Sequence, residues 1–352
     1  GSKSAAGGIL MRKPYLTEVP ILLMFFIRPH TLFKVFEQIK KARPRVLFLV
    51  SDAPRNTYPN DFELNQMCKS IVQDIDWDCD IQTYYAYTNQ GMYRMGYDSL
   101  KWAFEKTDRL IFLEDDVVPN QSFFRFCADT LERYKDDERI HMVCGMNQLG
   151  IYNEASSDYF FSKAGSIWGF ALWRRTFETF DYEMQYGNDK YILEVLGRNI
   201  PRYRKVFIEN AYKYINGELN DNERIAFEFQ CGVTMYLQNR LILVAKKNMI
   251  SCIGATEGAA HANSSLRELP KGIQRVFEMV TYEYDFPLKH PNYVMEDKTY
   301  EKRIERIFGW GHPLIQINRR IESILRQLIF GDKRTFIKKL HKKILGEKQI
   351  ER

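Results

Sequence analysis

From Val19 onward, apolar runs alternate with amphipathic ones. Short continuous apolar runs predict buried strands, and apolar residues recurring every three to four positions predict helices that cover them. The strand candidates are Val19–Ile27, Arg45–Ser51, Asp80–Tyr87, Arg109–Leu113 and Ile140–Cys144. Between them, Thr31–Lys41 gathers Leu32, Phe33, Phe36 and Ile39 on one face, and Asp61–Asp74 gathers Phe62, Met67, Cys68, Ile71 and Val72. Strands interleaved with helices in this way predict an α/β fold, a mostly parallel sheet sandwiched by helices. Further on, Gly165–Trp173 mixes small and aromatic residues, and Ala226–Asn239 predicts a largely buried helix carrying Glu228 and Gln230. After Pro287-Leu288-Lys289-His290-Pro291 the pattern changes. Leu314, Ile317, Ile321, Ile324, Leu325 and Leu328 recur at helical spacing among arginines, and Phe336, Ile337, Leu340 and Ile344 follow among lysines.

In open α/β sheets ligands bind beyond the carboxyl ends of the strands. The distinctive polar residues fall there: Arg28-Pro29-His30, Ser51-Asp52-Ala53-Pro54-Arg55, Asn89-Gln90-Gly91 and Glu114-Asp115-Asp116 follow the first four strand candidates in turn. The last group closes the apolar run Leu110-Ile111-Phe112-Leu113. Three consecutive carboxylates at the end of a buried strand repel one another and lose hydration, so a positive partner is required. Mg²⁺ or Mn²⁺ suits hard oxygen ligands and takes only one or two protein carboxylates, leaving the rest of its shell to water and phosphate. A solvated acidic turn is the plainer alternative.

Composition narrows the class. With 45% hydrophobic and 27% charged residues, the chain is that of an ordinary globular protein and not a disordered one. Residues 1–10 read as a cloning scar, with Met11 as the natural start. The run Val19–Ile27 is far shorter than the roughly 20 residues a membrane-spanning helix needs. Six cysteines without C-x-x-C spacing, several in apolar runs, fit reduced buried thiols better than zinc sites or disulfides, and point to a cytoplasmic location. The net charge of +6 is uneven: residues 298–352 hold 15 Lys or Arg against 6 Asp or Glu, a surplus of nine, so residues 1–297 carry −3.

Leu113-Glu114-Asp115-Asp116-Val117-Val118-Pro119, followed by Ser122-Phe123-Phe124, resembles the acidic DXD-type motif and following helix of GT-A glycosyltransferases of the N-acetylglucosaminyltransferase I type and their bacterial polysaccharide-synthesis relatives. Ile27-Arg28-Pro29, Val50-Ser51-Asp52-Ala53-Pro54-Arg55 and Asn89-Gln90-Gly91-Met92 resemble further loops of that group, and the likeness runs from about Val19 to about Ala262. It implies a GT-A fold in which Asp116 is the metal ligand and Glu114 and Asp115 hold sugar or ribose hydroxyls. Asp52 would face the base or ribose, with Asn89 and Gly91 in the same donor site and Arg28, Arg55 and Arg94 on base and phosphates. Each arginine also reads as an ordinary solvated charge.

Phe227-Glu228-Phe229-Gln230-Cys231, then Asn248-Met249-Ile250-Ser251-Cys252-Ile253-Gly254 and His261, resemble a second family stretch without a gap. Glu228 stands where the family has an aspartate acting as general base. That extra methylene displaces the carboxylate unless the backbone compensates, and a pairing of Glu228 with Arg224 is the structural alternative. Flanking phenylalanines would raise its pKa toward neutrality. His261 is the second metal-ligand candidate, against a reading as an exposed loop histidine. Trp168 and Gly169 are candidates for the acceptor-binding wall, and Trp173 for the core.

The resemblance implies an inverting transferase that moves a sugar, GlcNAc or another hexose derivative, from a nucleoside diphosphate sugar, UDP-linked, to a glycan or lipid-linked acceptor in surface polysaccharide synthesis. The boundaries that follow are 11–150 for the nucleotide-sugar half, 151–290 for the acceptor half and 291–352 for a basic amphipathic helical tail. The tail reads as an attachment to the anionic inner face of a cell membrane, with Lys333–Lys343 the stronger segment, or as a helix that folds back or pairs with another copy. Nucleic acid is excluded because no recognition module accompanies the charge. The rivals are a GT-A-like nucleotidyltransferase, which needs a Gly-rich loop with lysine that Ile21–Thr31 lacks, and a non-catalytic glycan-binding or scaffold protein.

Overall fold

The computed structural model describes residues 12–201, 205–218, 227–255 and 266–331. Its strands are β1 Ile21–Phe25, β2 Val46–Ser51, β3 Asp80–Tyr85, β4 Arg109–Glu114, β5 Val117–Pro119, β6 Ile140–Cys144, β7 Tyr159–Ser162, β8 Phe170–Trp173, β9 Leu241–Ala245 and β10 Ile250–Cys252. Its α-helices are α1 Pro29–Ala42, α2 Asp61–Ile71, α3 Met92–Phe104, α4 Gln121–Arg133, α5 Arg174–Phe177, α6 Lys190–Asn199, α7 Val206–Ile215, α8 Phe227–Leu237, α9 Lys271–Gln274, α10 Lys298–Phe308 and α11 Pro313–Phe330.

Eight strands form one sheet in the order β3-β2-β1-β4-β8-β6-β9-β7. The first four are parallel. β8 runs antiparallel to both β4 and β6, β9 is parallel to β6, and β7 closes the edge antiparallel to β9. This is an α/β, Rossmann-like sheet covered by helices. Of the parallel strands, β1, β2 and β4 are sealed on both faces, which is why they read as unbroken apolar runs: Ile21, Leu22, Leu23, Leu110, Ile111 and Leu113 are fully buried, whereas β3 at the sheet edge is half-buried to exposed. The chain runs outward from β1 to β3 and then returns to the other side of β1 as β4, so the topological switch lies between β1 and β4.

The helices show why the sheet is placed as it is. Pro29 opens α1, where a missing N–H is harmless, and Leu32, Val35, Phe36 and Ile39 form its buried stripe. Phe33, read onto that face from spacing, lies off the stripe and is 54% exposed. In α2 the inward residues are Asp61, Asn65 and Cys68, whereas Phe62 and Met67 face solvent. That face serves the polar ends of β1 and β2, so its period carries hydrogen-bonding groups where an apolar stripe was expected. Several strands are shorter than the apolar runs that predict them; β1 ends at Phe25 and β3 at Tyr85, while Glu114 belongs to β4. None of the six cysteines is joined to another, and all but Cys79 are buried.

One core runs through both halves of the chain and takes in Tyr300, Ile304 and Ile307 of α10, with the Tyr300 ring against Phe160 of β7. Among the described residues no helix is long and apolar enough to cross a membrane.

Candidate functional site

At the switch point β1 and β4 lie in parallel register, with Met24 opposite Glu114. The residues beyond their carboxyl ends therefore meet: Phe26-Ile27-Arg28 on one side and Asp115-Asp116 on the other. Asp115 turns inward and is 2% exposed. Its Oδ2 accepts the Phe26 N–H at 3.1 Å, and its Oδ1 accepts a hydrogen bond from Nη2 of Arg28. Asp116 turns the other way, and its Oδ2 accepts from Nη1 of the same guanidinium at 2.8 Å. One arginine thus bridges both carboxylates, the two-pronged geometry that guanidinium suits. Burial works against the Arg28 charge, but the two aspartates outweigh it and raise its pKa. Burial also lifts the Asp115 carboxyl to about 6, with Arg28 opposing the rise and Asp116 adding to it.

The short ribbon of β5 and β10 walls the crevice. Val117 pairs with Cys252 and Pro119 with Ile250, and the Ile253 N–H donates to the Asp116 carbonyl at 2.8 Å. Gly254 then comes directly against the Asp116 carboxylate: a Cβ there would lie 1.9 Å from Oδ2. Glycine at 254 is what leaves this carboxylate its place. Gly169, expected at the acceptor wall, performs a similar service from beneath. It is buried at φ +70°, and a Cβ would lie 2.4 Å from Cδ1 of Ile250.

A second polar cluster follows β2. The Asp52 carboxylate is 8% exposed and accepts from the N–H groups of Ala53, Gln90 and Gly91 at 2.8–2.9 Å and from Nδ2 of Asn89 at 3.1 Å. Burial raises its pKa while those backbone donors pull it down. Gly91, at φ +80°, caps α3 and delivers one of the donors. Asp52, Asn89 and Gly91 are therefore brought together, in a staple that ties the loop after β2 to the start of α3. Arg55 is held by Asp61, Nε to Oδ2 at 2.6 Å and Nη2 to Oδ1 at 3.0 Å, with its guanidinium over the Tyr58 ring at 3.8 Å. Arg94 lies on α3, exposed, in an i,i+4 pair with Asp98.

Asn65 escaped the sequence reading. It is fully buried in α2, and its Nδ2 donates to the Phe26 carbonyl and to Ser51 Oγ, both at 2.9 Å, lacing the ends of β1 and β2 together. A polar residue on the inward face of an otherwise amphipathic helix is the signal that marks it. Trp168 is half-buried with its ring against Phe277, and Trp173 is in the core, its Nε1 donating to the Leu131 carbonyl at 3.1 Å. Glu228 falls in the first turn of α8, and its side chain lies outside the described residues, as does all of His261.

The residues at the crevice fit a hard divalent cation to this extent: Asp116 offers an outward carboxylate in a gap that Gly254 keeps clear, and Glu114 stands beside it at the strand end. Among the described residues no group of three or more His, Cys, Asp and Glu side chains converges on a point. A cation here would take one or two protein oxygens and complete its shell from a ligand.

Fold and site together define an α/β chain with a charged crevice at the switch point of a Rossmann-like sheet. No protein-family model matches it, and no curated protein matches it in sequence, so the glycosyltransferase resemblance stands on its motifs alone. Solved structures similar to it include the inositol-1-phosphate CTP transferase from T. maritima, 8% identical with a TM-score of 0.37 over 74% of this chain and 95% of that one. UDP-glucose pyrophosphorylase complexed with UDP-glucose is 8% identical, TM-score 0.35, over 66% and 92%. HddC from Yersinia pseudotuberculosis is 9% identical, TM-score 0.29, over 46% and 80%.

Proposed function

We propose that this chain is a metal-dependent, inverting glycosyltransferase that binds a nucleoside diphosphate sugar in the β1/β4 crevice and passes the sugar to a hydroxyl of a glycan or lipid-linked acceptor. The observation that carries the reading is the bridge from Arg28 to Asp115 and Asp116 at the switch point, next to a carboxylate gap kept by Gly254. Asp116 would hold Mg²⁺ or Mn²⁺, which as a Lewis acid neutralises charge on a departing diphosphate. Arg28 places a fixed cation in the same crevice, and Asp115 fixes Arg28. The Asp52 staple orders the neighbouring loop, where the base and ribose would lie. Glu228 is assigned as the base that takes the acceptor proton, on the strength of its motif.

Nucleotidyl transfer, the activity for which two of the similar structures are named, is the second reading, and those likenesses are too loose to decide between the two. The connection from β1 to α1 bears on it. Only Phe26, Ile27 and Arg28 separate Phe25 from Pro29, and none is glycine. A Gly-rich loop for a triphosphate has no place there.

The experiment is a split assay with Mn²⁺. Release of nucleoside diphosphate from a panel of nucleotide sugars, abolished in Asp116→Ala, supports glycosyl transfer. Release of pyrophosphate from nucleoside triphosphates and sugar phosphates establishes the second reading. If neither product forms and no nucleotide raises the melting temperature, both enzymatic readings fail.

A further inference from the structure

Helix α11 faces the opposite way from an ordinary surface helix. An amphipathic helix turns its apolar stripe to the core and its polar side to water. Here the polar side is the one held to the body. Arg319 donates to the Ile307 carbonyl, Glu322 accepts from the Lys271 N–H at 3.0 Å, and Arg326 donates to Glu322 at 2.7 Å and to the Arg267 carbonyl at 3.0 Å. No residue of α11 is buried. On the other side Leu314, Ile317, Ile321, Ile324, Leu325 and Leu328 are each between 42% and 77% exposed. At helical spacing these six fall within an arc of about 100° uninterrupted by a polar residue, over a length of about 21 Å. A continuous apolar strip of this kind marks an interaction surface.

We propose that this strip, with the basic segment that follows it in sequence, docks on an anionic lipid bilayer. Charge selects that occupant. Residues 332–352 hold eight Lys or Arg against three Asp or Glu, and each basic residue close to an anionic leaflet contributes about 1 kcal/mol. Residues 1–297 are net negative and are repelled by the same surface, so the field turns this end of the molecule toward the membrane. A second copy of the chain also offers an apolar strip, but it carries the same positive surplus over residues 298–352, so charge gives it none of the attraction that an anionic surface supplies. The strip lies along the interface and does not cross it, in keeping with the absence of a spanning helix among the described residues.

The test is sedimentation of the full chain with vesicles of phosphatidylcholine alone or mixed with phosphatidylglycerol. Binding is expected only to the mixed vesicles, weakening as salt is raised. Ile317→Glu with Ile324→Glu, and separately Lys338, Lys339, Lys342 and Lys343 all →Gln, should each lower that binding at least about tenfold. The apolar pair is exposed, so circular dichroism of that variant should match the parent. Equal sedimentation with both vesicle types, or none with either, overturns the proposal. So does a concentration-dependent dimer that the Ile317/Ile324 variant dissolves while vesicle binding is absent, because that outcome gives the strip to a second copy.

Discussion

Gly254→Ala probes the crevice with a single methyl group. Position 254 is outside the left-handed region that favours glycine, so alanine adds no backbone strain. Its Cβ would stand 1.9 Å from Oδ2 and 2.8 Å from Cγ of Asp116, and one of the two must move. The Asp116 backbone is pinned, since its carbonyl accepts from Ile253 at 2.8 Å and Val117 pairs with Cys252. The side chain therefore swings away, and the 2.8 Å hydrogen bond from Nη1 of Arg28 breaks. A hydrogen bond between charged groups contributes about 1.5–3 kcal/mol. The lower chain entropy of unfolded alanine returns about 0.4–1 kcal/mol, which leaves a net loss of about 1–2 kcal/mol in urea denaturation. Mn²⁺-dependent binding of UDP, followed by calorimetry, should fall at least about tenfold, the factor that 1.4 kcal/mol represents. Combined with Asp116→Asn, the effect on UDP binding should be no larger than that of Asp116→Asn alone, because both changes act on one carboxylate. A Gly254→Ala protein with unchanged stability and unchanged UDP binding refutes the placement of Asp116 against Gly254.

Three further outcomes follow from the same geometry. Arg28→Met leaves the buried Asp115 without its cation and should destabilise the fold by about 3–5 kcal/mol in chemical denaturation, with Arg28→Lys recovering part of the loss; a change under 1 kcal/mol would contradict the bridge. Asp52→Ala removes the shared acceptor of the Ala53, Gln90 and Gly91 N–H groups, so amide exchange at Gln90 and Gly91 should accelerate by more than about tenfold, and Asp52→Asn by less. His141, fully buried, is lowered to about 3 by burial first and then by Arg240. The unfolded chain takes up this proton below about pH 6.5 while the native chain does not, so stability present above that pH is lost as pH falls, by about 2 kcal/mol at pH 5. The pH dependence should flatten by that amount in His141→Leu, and identical slopes in the two proteins would rule His141 out as its source.

Strands β1, β2, β4 and β6 were legible because they are buried on both faces and advertise themselves as apolar runs; Ile140–Cys144 has the same bounds in sequence pattern and in structure. The later strands were not. Strands such as β10, only Ile250–Cys252, are too short for an alternation to register, and β8 is hidden within the aromatic mixture Gly165–Trp173 because all four of its residues are buried. The helical faces were misread where packing is polar. Spacing finds apolar stripes, so it passed over Asn65 in α2 and put Phe62 and Met67 inside. In α11 the spacing is present but the structure gives it the opposite meaning, since the polar side makes the contacts and the apolar side is left facing water.

The acidic triplet shows where charge reasoning stops. Adjacent carboxylates at a buried strand end require a positive partner, but the requirement is met by any cation that reaches them. In the fold the partner of Asp115 and Asp116 is Arg28, nearly ninety residues earlier, and nothing local to the triplet points to it. The register of β1 with β4 does so. The same register makes two neighbouring aspartates unlike. Asp115 is turned in, bonded to Phe26 and Arg28, and holds the crevice together; Asp116 is turned out, toward Gly254. Arg28 bonds to both. A ligand that needs Oδ2 of Asp116 competes with Nη1 of Arg28 for it, whereas an anion that binds the guanidinium draws Arg28 away from the carboxylate. On the proposed function, anion and cation binding would therefore be coupled through this one side chain, and the coupling would be reciprocal.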